Sequence, residues 1–113
     1  MKTITVNTLA AIAATLAFAI PAAHANEAKD AAAGKLLVKS DACFTCHGVT
    51  ATKIGPSFTD IAKKFANKSE DDAEKAIETD IKNGVKGTMM MAHGSISARD
   101  LDEIADWILS LKK

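Results

Sequence analysis

Residues 41–48 read DACFTCHG and hold both cysteines of the 113-residue chain, Cys43 and Cys46, with His47 directly after the second. Two thiols and an imidazole within five residues form a compact donor set, and the surrounding chain has to say what the set serves. Upstream, residues 1–25 read MKTITVNTLAAIAATLAFAIPAAHA. Lys2 comes first, an apolar core runs from Leu9 to Ile20, and Ala23-His24-Ala25 closes with a small-x-small pattern. This is the layout of a Sec-type signal peptide. The apolar run is short for a membrane span, so no stable membrane insertion is expected after cleavage. Residues 26–113 are then left as one small domain. Domains of that size often need a staple, a metal or a cofactor to supplement a limited core.

The chain carries 14 basic and 14 acidic residues and no tyrosine. Residues 34–68 contain six Lys and two Asp, whereas residues 69–113 contain six basic and ten acidic residues. A nucleic-acid-binding protein would be basic over a whole face, so that class is excluded. Charge separated in this way suits oriented docking to another protein. Phe44, Phe58, Phe65 and Trp107 are the aromatic residues after the signal. A core this poor in large side chains would gain from a large apolar cofactor.

The elements outward from Cys43 read as helices. Residues 27–39 are alanine-rich, with Ala28, Ala31, Ala32, Leu36 and Leu37 available for one face. Ile54-Gly55-Pro56-Ser57 is a turn whose serine caps a second helix with Phe58, Ile61, Ala62 and Phe65 as its stripe. Ser69 and Asp72 open a third helix carrying Ala73, Ala76, Ile77 and Ile81 inward, and Asn83-Gly84 predicts a left-handed cap at its end. After a loop over 85–96, Ser97 and Asp100 open a fourth helix with Leu101, Ile104, Ala105, Ile108 and Leu111. No window alternates with a period of two, so the fold is all-α, four helices and long loops.

In an exported chain a disulfide is the first reading of two cysteines. Cys43 and Cys46 would close so small a loop that it constrains almost nothing. A catalytic Cys-x-x-Cys belongs with strands, which are lacking here, and a structural zinc needs a second ligand pair that His47 and His93 do not supply. Cys-x-x-Cys-His is the attachment motif of haem c. One covalent haem is therefore expected, with Cys43 and Cys46 as thioether donors and His47 on the iron. Met89, Met90 and Met91, in a loop flanked by Gly87 and Gly94, offer a sixth ligand. A His/Met pair raises the reduction potential and suits electron transfer. His93 is the other donor in that loop.

With these residues in view, the chain resembles the class I c-type cytochromes, especially the small bacterial c-551 and c5-like kind. CFTCHG, IGPSF, IAKKFA, IKNG and ISARDLDEIADWILSL fall in the family's order across the whole chain after the signal. The resemblance implies a cytochrome c fold wrapped around one haem, with the first and last helices crossing at Gly34 and Trp107. It implies that the Pro56 carbonyl orients His47 and that Met91 is the distal ligand, with Met90 or Met89 as alternates. It further implies a periplasmic, non-enzymatic electron carrier shuttling between respiratory redox proteins. Three departures stand out: Ala92-His93 replaces the prolines usual after the methionine, the preceding loop is short and lacks a tryptophan, and Gly94 replaces an asparagine. A gas- or peroxide-binding haem protein and a haem subunit of a larger oxidoreductase are the alternative readings. Val49, Ile54, Phe58, Ile61, Phe65, Ile77 and Ile81 are expected to wall the pocket, and Lys35, Lys39, Lys53 and Lys86 to surround its exposed edge.

Overall fold

A computed structural model describes residues 22–112 of the chain, with side-chain burial from Lys29 onward. It contains helices α1 (Ala22–Ser40), α2 (Phe58–Lys64), α3 (Glu70–Asn83) and α4 (Ala98–Ser110), and a short 3-10 turn over Cys43–Thr45. Among the described residues there is no β-strand, only an isolated bridge between His47 and Thr52. The all-α architecture expected from the sequence is the one found. Of the expected signal peptide, residues 1–21 lie outside the described part, and α1 begins at Ala22.

Three of the helices start where their serines require. Ser57, Ser69 and Ser97 each accept a hydrogen bond from the backbone N–H three residues on, at Asp60 (3.1 Å), Asp72 (3.3 Å) and Asp100 (3.1 Å). Each bond satisfies a donor that the first turn of a helix leaves unpaired. The end of α3 differs from expectation. Gly84 has φ 74° but ψ 174°, which is not the left-handed helical cap that Asn83-Gly84 predicts. A Cβ there would stand 2.7 Å from the Met90 carbonyl oxygen and 2.9 Å from the Ala92 nitrogen. Glycine is needed because the chain doubles back against itself.

Helix α4 is the axis of the molecule and is covered on most sides, with Leu101, Glu103, Ile104, Ala105, Trp107, Ile108 and Leu109 all buried. Burial of Glu103 and Leu109 goes beyond the single stripe read from the sequence, because α1, α2 and α3 all pack on this helix. The α1–α4 crossing is at Gly34, where a Cβ would collide with the Glu103 carbonyl and lie 2.9 Å from Trp107 Cβ. That contact sets which face of α1 is inward. Gly34 and Val38 are buried and Ala31 is partly so, while Leu36 is 71% exposed and Ala32 is also exposed. The expected face of α1 is corrected accordingly. Leu36 lies two residues from Gly34, roughly 200° around the helix, and points away from the crossing.

Candidate haem site

The Cys43–Cys46 turn is held from both sides. Its own backbone closes with Cys46 N–H and His47 N–H donating to the Cys43 carbonyl at 3.2 and 3.0 Å. Ala42, just before it, adopts φ 60°, which lets the chain leave α1 sharply. Phe44, between the two cysteines, meets Phe58 and Trp107 edge-on at 5.8 and 6.2 Å, and Phe58 meets Trp107 at 5.0 Å. These contacts tie the turn to α2 and α4, since aromatic pairs at such distances attract beyond their buried area. The following loop folds back over the turn. Gly55 N–H donates to the Cys46 carbonyl at 2.8 Å, Phe58 N–H to that of Gly48 at 2.9 Å, and Lys53 Nζ to that of Phe44 at 2.8 Å.

His47 is buried, and its Nδ1 lies 2.6 Å from the Pro56 carbonyl oxygen. A carbonyl only accepts, so Nδ1 carries the proton and Nε2 keeps its lone pair for a ligand. The ring lies 5.2 Å from that of Phe58, tilted by 35°. Behind it stands Gly55, where a Cβ would be 2.5 Å from His47 Cε1.

Cys43, Cys46 and His47 open onto one cavity of about 640 Å³ with mostly apolar walls. That volume is in the range of cofactor-sized pockets. Ile54, Phe58, Ile61, Phe65, Ile77 and Ile81 line it, and so do Pro56, Met89, Met90, Met91 and His93. Val49 is the exception. It is 38% exposed and absent from the lining, because its carbonyl turns inward to accept from Thr59 N–H and Oγ1 at 3.0 and 2.8 Å. Ile54 lines the mouth but remains 60% exposed. Sequence reasoning missed Ile104 and Ile108 as walls, although their place on the α4 stripe already aimed them inward. It also missed Lys64, Asp60 and Asp80 on the lining, and Phe44 as the anchor of the turn. An apolar residue between two cysteines was a usable signal for Phe44.

Burial pushes the Cys43 thiol above its usual range, and the Asp41 carboxylate adds to the effect. Both cysteines are free. The donors therefore fit a haem: two thiols on one wall, an imidazole with a free Nε2 beside them, and thioethers in the facing loop, around an apolar space.

Fold and donor set together define a small all-α haem c protein of the electron-carrying kind. Residues 31–112 match the cytochrome c family. Cytochrome c-552 of Nitrosomonas europaea is 39% identical over 80 residues, 67% of this chain and 76% of the relative. Cytochrome c-551 of Ectopseudomonas mendocina is 37% identical over 84 residues, 72% of this chain and 100% of the relative. The crystal structure of the class 1 cytochrome MtoD from Sideroxydans lithotrophicus ES-1 superposes with a TM-score of 0.61 at 33% identity, covering 74% of this chain and 98% of that one. The chain belongs to the cytochrome c family, and its cofactor is covalently attached haem c. Among the described residues no helix is long and apolar enough to cross a membrane.

Proposed function

We propose that the protein is a periplasmic one-electron carrier, exported by removal of residues 1–25 and functioning as a monohaem domain over residues 26–113. Cys43 and Cys46 would hold the haem covalently, as thioethers. His47, through Nε2, and Met91 would bind the iron, with Met90 or Met89 as alternates for Met91. The observation that carries this reading is the 2.6 Å contact from His47 Nδ1 to the Pro56 carbonyl, at a cavity that both cysteines line. That hydrogen bond orients the imidazole and increases its basicity.

The haem, when bound, supplies a ferric–ferrous couple. The chain determines how the couple behaves. A methionine thioether paired with the imidazole would favour the reduced form and so raise the potential. Ile61, Phe65, Ile77 and Ile104 wall the cavity with apolar surface, and excluding water limits reorganisation when the charge changes. Electron passage makes and breaks no bond in the chain, so it calls for no catalytic residue. The partners are redox proteins that deliver and remove the electron. Lys35, Lys39, Lys53 and Lys86 steer them; Lys53 does so while its ammonium donates to Phe44 O.

Voltammetry of the holo-protein, with and without hydrogen peroxide, tests the assignment. The carrier reading expects a reversible one-electron wave that peroxide leaves unchanged. A peroxide-driven catalytic current would replace it with ligand chemistry at an accessible iron.

A further inference from the structure

One thioether suffices for the distal position, yet three consecutive methionines line the cavity. The hydrogen bonds of the loop treat them unequally. Met90 is pinned at both its backbone groups: its N–H donates to Thr88 Oγ1 at 3.2 Å and its carbonyl accepts from Val85 N–H at 3.2 Å. Thr88 is itself fastened to the Val85 carbonyl, through N–H at 3.1 Å and Oγ1 at 2.7 Å. Met90 is partly buried and packs against the core. Met89 and Met91 on either side are 79% and 74% exposed. All three line the cavity, and Met89 and Met91 flank the fixed Met90. Downstream, His93 N–H donates to the Ile81 carbonyl at 2.9 Å and ties the loop to α3. Met89 therefore sits between two anchored residues, Thr88 and Met90, and only its side chain has to move.

We propose that Met89 is a second distal donor, able to take the iron position that Met91 holds. A methionine side chain has three rotatable bonds and a polarizable sulfur, and two such chains that line one cavity two residues apart can reach a common point. Exchange leaves ligand chemistry and charge unchanged: one iron–sulfur bond breaks and an equivalent one forms, with no proton or electron transferred. The Met90 anchor confines the adjustment to its two neighbours. The inference rests on the reading of Met91 as distal ligand and gives the carrier tolerance to loss of that one thioether.

The test compares holo-proteins of Met91→Ala, Met89→Ala/Met91→Ala, Met90→Ala/Met91→Ala and Met89→Ala/Met90→Ala/Met91→Ala, each confirmed by its covalent haem absorbance. The readouts are the weak far-red charge-transfer band of a ferric iron–methionine bond and carbon monoxide binding by the ferrous form. The expected result is that Met91→Ala keeps the band and excludes carbon monoxide, and that only the variant also lacking Met89 loses the band and binds the gas. If Met91→Ala alone loses the band, the second donor is overturned while Met91 ligation stands. If the band survives loss of both Met89 and Met91, Met89 is not the second donor. If it survives loss of all three methionines, distal methionine ligation itself fails.

Discussion

Gly55 leaves no room for a side chain, because a Cβ would press into the His47 ring at 2.5 Å while both flanking elements are held by backbone hydrogen bonds. Gly55→Ala therefore has to displace the imidazole from the Pro56 carbonyl. We expect a loss of about 1–3 kcal/mol of holo-protein stability, the range for overpacking, with a changed ferric spectrum. An unchanged melting curve and spectrum would show that the ring has slack. Ala42 presents the opposite case. Its left-handed φ of 60° costs an alanine roughly 1–2 kcal/mol, and glycine there would relieve that while adding roughly 0.4–1 kcal/mol of unfolded-state entropy. Ala42→Gly should be neutral or stabilising by up to about 1 kcal/mol in a denaturant titration, whereas clear destabilisation would mean that Ala42 packs productively. At this scale the sequence was legible where chemistry is local. Cys43, Cys46 and His47 fall within five residues, and the His47–Pro56 pairing follows from the family motif. The crowding at Gly55 was not legible, because it depends on the path of the whole loop.

The helices repeat that division. Capping serines at 57, 69 and 97 were readable because each acts within one turn, and all three form the expected bond. The inward face of α1 was not, since Leu36 and Val38 are equally apolar and only the Gly34 crossing decides between them. Gly34→Val should cost about 3 kcal/mol or more, because its Cβ meets backbone of α4 that cannot rotate aside. Thermal melts would contradict the crossing if the variant matched the parent. The α3–α4 seam was also invisible in the sequence. Asp106 is pushed up to about 8 by burial first, then by its hydrogen bond to Glu74 and the negative charges of Glu74, Asp102 and Asp30. Glu78 is raised by burial and by its bond to Asp102, with Lys75 opposing. A carboxyl raised in the folded state binds protons there that the unfolded chain releases. Its stabilisation is complete below the ordinary carboxylate range and is lost as pH rises toward 8. Melting temperature should therefore fall between pH 5 and 9. Asp106→Asn should flatten the decline, and a parallel curve for the variant would sink the explanation.

As a whole, the molecule sets a short cysteine–histidine turn against a methionine loop across one apolar cavity, with α4 behind it. The sequence announced both walls and left the space between them to be shown by the fold. It also named most of the lining, because in a domain this small the pocket and the core share residues such as Phe58, Phe65 and Ile77. Iron held between His47 and a methionine, as proposed, would be closed to outside ligands, as electron carriage requires. The most direct measurement is the visible spectrum of periplasmically matured holo-protein, ferric and then ferrous, with carbon monoxide added last. A carrier with this ligation shows the far-red methionine–iron band in the ferric form and no response to carbon monoxide in the ferrous form. A missing band with prompt carbon monoxide binding would contradict it and reassign the protein to ligand chemistry.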